Sequence, residues 1–74
     1  MKALAETIGE NIRAHREAMG MSVADLTRAI CDIDPKHSAI IWRWETAKNS
    51  PNAYYLCILA DVFGCSVDEL LGRG

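Results

Sequence analysis

The run Ile40-Ile41-Trp42-Arg43-Trp44-Glu45 constrains the fold of this chain more than any other stretch. At 3.6 residues per turn it reads as a short helix with one apolar face and an arginine directed outward. Trp44 shares the face of Ile41. Trp42 is rotated from Trp44 by about 160–200°, so the two indoles cannot both enter one core. Trp44 is therefore expected inside and Trp42 at the surface, with partial burial of Trp42 under a neighbouring side chain as the rival.

Around this run the chain is punctuated for helices throughout. Thr7…Glu10, Ser22…Asp25 and Ser66…Glu69 each place a hydroxyl three residues ahead of an acid. The hydroxyl can accept from an orphan amide, and the acid favours the positive end of the helix. The first helix is expected over about 4–19, with Leu4, Ile8, Ile12, His15 and Met19 on one face and Gly20 as its stop. A second is expected over about 23–30, with Val23, Leu26 and Ile30 inward. The third is expected over about 35–45, with Asp34 as cap and Pro35 at the first helical position. The fourth, about 52–63, follows Pro51 with Asn52 as cap, turns Leu56, Leu59, Ala60 and Phe63 inward, and stops at Gly64. The last spans about 67–71. The expected fold class is all-α: five short helices around one core, a single domain over residues 1–74.

A chain of 74 residues leaves little room for a core, yet half of its residues are hydrophobic, which favours a packed globule over disorder. No apolar run is long enough to span a bilayer, and no signal-peptide pattern opens the chain. Cys31, Cys57 and Cys65 are odd in number and contain no Cys-x-x-Cys pair, which argues against a disulfide framework or a zinc finger and for a reducing cytoplasm. Cys57 lies in an apolar helical run and is expected in the core. His15 is expected as a satisfied core-edge histidine, because the sequence offers it no companions for a metal or catalytic role. No paired carboxylates, Gly-rich phosphate loop or nucleophile constellation appears, so neither an enzyme nor a cofactor is expected.

The second and third helices, short and closely connected, suggest a helix-turn-helix DNA reader. Net charge is −2, which is unlike the basic footprint usual for that role. The charge is uneven, however. Residues 35–50 carry Lys36, Arg43 and Lys48 against Glu45 alone, so the basic segment coincides with the candidate reading helix.

Larger pieces of the pattern follow in order: Ile8-Gly9-Glu10-Asn11-Ile12-Arg13…Arg16, Met21-Ser22…Leu26, Ile41…Trp44-Glu45, Pro51, and Leu59-Ala60…Phe63-Gly64…Ser66-Val67-Asp68-Glu69-Leu70-Leu71. Together, over about residues 4–72, they resemble the Cro and phage-repressor type of helix-turn-helix protein. The resemblance implies double-stranded DNA as partner, with Ser38, Ala39 and Arg43 of the third helix facing the bases. Arg43 suits that place chemically, since its planar fork matches guanine O6 and N7, or a phosphate. Lys36, His37, Lys48 and Asn49 flank this helix and read better as phosphate contacts, which position a protein without reading bases. Arg16, Ser22 and Trp42 are expected at the phosphates or sugars too. The resemblance also pairs Arg16 with Glu45 across the first and third helices. Tyr54, Tyr55, Leu70 and Leu71 are expected to form the surface of a two-fold homodimer.

The chain departs from the family pattern in four ways. Its stretch from Leu26 to Glu45 is longer, and a turn glycine is missing there. Asp32 and Asp34 fall close to where phosphates would lie. Val23 replaces a polar amide at the start of the second helix, and Ala47 replaces a glycine after the third. The leading expectation is a cytoplasmic transcriptional regulator acting as a repressor, either Cro-like or a fragment of a longer regulator. The alternative is a protein-interaction module that keeps the fold with weak or no DNA binding, using an apolar surface at Ile40 and Trp42.

Overall fold

In the computed structural model, which describes residues 2–31 and 39–73, the chain is helical wherever its structure is regular. The helices are α1 (Leu4–Ala18), α2 (Val23–Cys31), α3 (Ala39–Glu45), α4 (Ala53–Phe63) and α5 (Val67–Leu70). No strand occurs among the described residues. The start expected for the third helix, Asp34 and Pro35, lies outside them.

α1 begins at Leu4, as expected, one turn ahead of the Thr7…Glu10 signature. Leu4, Ala5 and Glu6 favour helix, and the Glu6 carboxylate accepts from the Ala3 amide at 3.2 Å, so Thr7 is already inside. Glu10 instead pairs with Lys2. The apolar stripe is buried only in its middle, at Ile8 and Ile12, while Leu4 and Met19 overhang the core and stay exposed. Gly20 adopts a left-handed φ of 68°, and the Met21 amide folds back onto the Arg16 carbonyl at 3.0 Å, closing the helix as expected.

α2 carries a complete reciprocal cap. The Ser22 hydroxyl accepts from the Asp25 amide, and the Asp25 carboxylate accepts from the Ser22 amide, each at 3.0 Å. These hydrogen bonds from Ser22, with Arg28 beside them, hold the Asp25 carboxyl below the usual carboxylate range. Leu26 and Ile30 enter the core as expected, with Val23 half-buried against it. Thr27, buried on the same helix, returns its hydroxyl to the Val23 carbonyl at 2.8 Å.

α4 starts at Asn52, whose side chain accepts from the Tyr55 amide at 3.0 Å, and ends at Gly64 with φ 67°. Leu59 and Ala60 are buried, while Leu56 and Phe63 pack from the edge. Cys57, expected in the core, is exposed instead. α4 is apolar nearly all round, so periodicity could not single out its inner face. α5 starts on Ser66, whose hydroxyl accepts from the Glu69 amide at 3.1 Å. Its Leu70 is fully buried in the core and has no surface to give a second copy, which removes it from the expected dimer face.

The core is one cluster: Ile8, Ile12, Leu26, Ile30, Ile41, Trp44, Leu59, Ala60 and Leu70. Its closest approach is between α1 and the end of α3. A Cβ on Gly9 would overlap the carbonyl oxygen of Trp44 and press on that of Glu45, so only glycine lets the two backbones meet. Gly9→Ala should therefore destabilise the chain by about 1–3 kcal/mol, the scale of an overpacked core site. A urea midpoint equal to that of the parent would refute the close approach.

Candidate nucleic-acid interface

The angle of α3 is set from behind by one guanidinium. Arg16 Nε donates to Glu45 Oε2 at 2.7 Å, and its Nη2 donates to Glu45 Oε1 at 3.1 Å. The third nitrogen, Nη1, donates to the Met21 carbonyl at 2.9 Å. Only 12% of the Arg16 side chain and 9% of that of Glu45 remain exposed. The pairing expected from the resemblance is thus present as a two-pronged, nearly enclosed contact. All three nitrogens are engaged, so Arg16 has a structural role; three of its five N–H groups are used, which leaves two for the phosphate contact that was also expected of it.

With Ile41 and Trp44 pointing inward, the other side of α3 is left to solvent. Ala39 and Arg43 are exposed, and 56% of Trp42 is accessible. The helix stops at Ala47, which takes a left-handed φ of 61°. An alanine in that conformation costs about 1 kcal/mol relative to glycine. The amides of Lys48 and Asn49 then both turn back to the Arg43 carbonyl, at 2.8 and 3.3 Å. This return keeps the exposed Lys48 and Asn49 side chains beside the end of α3. Ala39, Trp42, Arg43, Lys48 and Asn49 thus form an exposed stretch along and just beyond the helix. The expected contacts Lys36, His37 and Ser38 lie outside the described residues.

Electrostatics single out the same stretch. Lys2, Arg13, Arg16 and Arg28 are paired with Glu10, Glu17, Glu45 and Asp25. Arg43 and Lys48 have no acidic partner among the described residues, a property shared by Arg73 beyond α5. Ser22 is exposed at the start of α2, but its amide and hydroxyl both serve Asp25. The ionised Asp25 carboxylate occupies the helix end that would otherwise attract an anion. The expected Ser22 contact thus shares the start of α2 with a carboxylate, whereas Arg43 and Lys48 have none paired with them among the described residues.

A cleft of about 310 Å³ adjoins this face, lined chiefly by Ile40, Trp44, Asn49, Pro51, Asn52 and Tyr55. It arises where α3 meets the connection into α4 and so has no local signal in the chain. Of the residues expected at a dimer surface, Tyr54 is 68% exposed and meets Tyr55 edge-on, ring centroids 5.2 Å apart. Tyr55 itself leans on Trp44, 5.4 Å between centroids, and Leu71 is half-buried. Two residues carry structural roles that the periodicity had not marked. They are Gly9 and Asn11, whose amide donates to the carbonyls of Glu69 and Leu70 at 3.2 and 3.0 Å. Among the described residues, one group of His, Cys and acidic side chains approaches a metal-binding arrangement: His15, Cys65 and Glu69, which belong to α1, the α4–α5 turn and α5, not to this face.

Compared with known proteins, residues 12–70 match a family model described as helix-turn-helix, which covers most of the chain. Neither a curated protein nor a solved structure gives a match.

Two measurements check the site's framework. Glu45→Ala strands a nearly buried guanidinium and should cost about 3 kcal/mol of stability, as removing one partner of an enclosed pair does; a loss under about 1 kcal/mol would mean an ordinary surface pair. The Asp25 cap predicts an acid-side dependence. A carboxyl with a lowered folded pKa contributes stability that is complete above the ordinary carboxylate pKa and lost as pH falls through the folded value. In Ser22→Ala, NMR titration of the Asp25 carboxyl should move upward, toward the ordinary range; an unchanged titration would refute the cap.

Proposed function

The chain belongs to the Cro and phage-repressor type of helix-turn-helix family, one of DNA-binding transcription regulators, and on that footing we propose that it is a repressor that reads operator DNA through α3. The observation that carries this reading is the exposed stretch of Ala39, Trp42, Arg43, Lys48 and Asn49, held at a fixed angle by the Arg16–Glu45 pair. Within it, Arg43 is the base-reading or phosphate-gripping group, and Ala39 offers only apolar contact to a thymine methyl. Lys48 and Asn49 grip the backbone, and Trp42 lies against sugar or phosphate. Ser38 joins the base contacts, and Lys36 and His37 the phosphate contacts. The chain acts as a two-fold homodimer, because one module of this size makes few base contacts. Tyr54, Tyr55 and Leu71 supply the dimer surface, with the large exposure of Tyr54 in support. A cytoplasmic setting suits this role; no described helix is long and apolar enough to cross a membrane.

A second reading rests on a specific observation. Trp42 is more than half exposed next to the partly buried Ile40, on a chain whose net charge is −2. That combination also suits a protein-interaction module with weak or no DNA binding.

Titration of a mixed-sequence duplex at low salt, followed by tryptophan fluorescence, separates the two. Under the regulator reading, binding weakens linearly in log–log salt, and Lys48→Ala makes that slope shallower by about one. Arg43→Ala weakens binding further. Absence of binding at about 100 μM, where non-specific readers respond, would overturn the regulator reading in favour of the interaction module.

A further inference from the structure

His15, Cys65 and Glu69 come from three segments, α1, the turn after α4, and α5, yet their ligating atoms all lie within 4.8 Å of one another. The turn that brings them together is well determined. Gly64, in the left-handed region, swings the chain out of α4, and the Cys65 amide donates to the Ala60 carbonyl at 3.0 Å. Ser66 then caps α5 through the Glu69 amide, which sets Glu69 one turn beyond Cys65. On the facing helix, His15 lies nearly flat on Phe63, ring centroids 5.3 Å apart and planes inclined by 17°. Asn11, one turn earlier on α1, ties α5 down by donating to the Glu69 and Leu70 carbonyls. His15 and Cys65 are half-buried and Glu69 is exposed, so the cluster opens to water on one side.

We propose that His15, Cys65 and Glu69 form a binding site for a divalent transition metal of the zinc type. An imidazole nitrogen, a thiolate sulfur and a carboxylate oxygen are donors that zinc accepts in one tetrahedral shell. Calcium and magnesium prefer all-oxygen shells and are poor candidates for this set. With bonds of about 2.0–2.3 Å, two ligand atoms on one tetrahedral zinc stand about 3.4–3.6 Å apart. Closure from a spacing of at most 4.8 Å therefore needs a contraction of no more than about 1.3 Å, on the scale of small side-chain adjustments. The fourth position faces solvent and takes water. The metal joins α1 to α5 and the turn, so it binds the folded chain in preference to the unfolded one and stabilises it by mass action. No residue of this site belongs to the α3 face, and the site stands whether or not the chain binds DNA.

The test is an anaerobic titration of the full, reduced chain with Co²⁺, followed by Zn²⁺. One equivalent of Co²⁺ should produce thiolate-to-cobalt charge-transfer absorption, and Zn²⁺ should remove it. Cys65→Ser should abolish the band. His15→Gln and Glu69→Gln should weaken cobalt binding at least tenfold, since loss of even an outer-shell partner costs about 10–100-fold. Cys57→Ser, which alters an exposed thiol outside the cluster, should leave the titration unchanged. Helical circular dichroism checks folding of each variant beforehand, and Glu69→Gln, an exposed and nearly isosteric change, keeps the site testable if a His15 variant does not fold. A folded parent chain without the band at saturating cobalt overturns the site. So does a band that survives Cys65→Ser or disappears with Cys57→Ser.

Discussion

The enclosed pair of Arg16 and Glu45 is the contact on which the working geometry depends. Its guanidinium holds three things at once: α1, from which it projects; the Met21 carbonyl in the turn before α2; and the last residue of α3. A helix of seven residues cannot hold its own shape or direction in water. Burial of Ile41 and Trp44 fastens its inner side but leaves it free to pivot about that line. The charged fork, acting at the helix end with two parallel hydrogen bonds, removes the pivot. Gly9 makes the pair reachable, because any side chain there would push α1 away from the Trp44 and Glu45 carbonyls.

That arrangement also explains how an acidic chain can present a basic edge. Net charge describes the whole surface, whereas a phosphate responds mainly to charges within about a Debye length, roughly 8–10 Å at ordinary salt. Four of the basic side chains are matched one to one with acids, mostly within their own helix or its neighbour. Arg43 and Lys48 are left over where α3 ends. The left-handed Ala47 contributes to this directly, since its turn brings the Lys48 amide back to the Arg43 carbonyl and so holds the two backbones close. The conformational cost of alanine at that position is thus tied to the charge pattern of the face.

Most of the fold was legible in the sequence wherever one residue type answers one local requirement. Ser22, Asn52 and Ser66 were readable as caps, and Gly20 and Gly64 as stops, because each satisfies or releases backbone groups on its own. Trp44 and Trp42 separated correctly because the α3 run is amphipathic. The misreadings fall where that contrast fails. α4 is apolar nearly all round, which hid the exposure of Cys57, and α5 is too short for periodicity to show Leu70 facing inward. The start of α1 was placed correctly near Leu4, although Ala3 gives no side-chain signal and the capping there falls to the Glu6 carboxylate. In the site, exposure along α3 followed from its period, but the pairing of Arg16 with Glu45 was visible only through family resemblance. The meeting of His15, Cys65 and Glu69 left no trace in sequence, since it depends on how a left-handed glycine aims one turn at a distant helix.

A domain this small has few apolar residues to spare, and its two shortest helices, α3 and α5, have too few turns to persist alone. Each is therefore held by a polar tie from the same helix. α1 reaches α3 through Arg16 and α5 through Asn11, whose amide donates to the Leu70 carbonyl and joins the Gly72 amide at that of Glu69. Its remaining inward positions, Ile8, Gly9 and Ile12, fill the space between them. α1 thus ties down both short helices, although it supplies none of the exposed groups along α3. Substitutions on α1 act on α3 or α5 through geometry, so α1 decides how the exposed residues of α3 are presented.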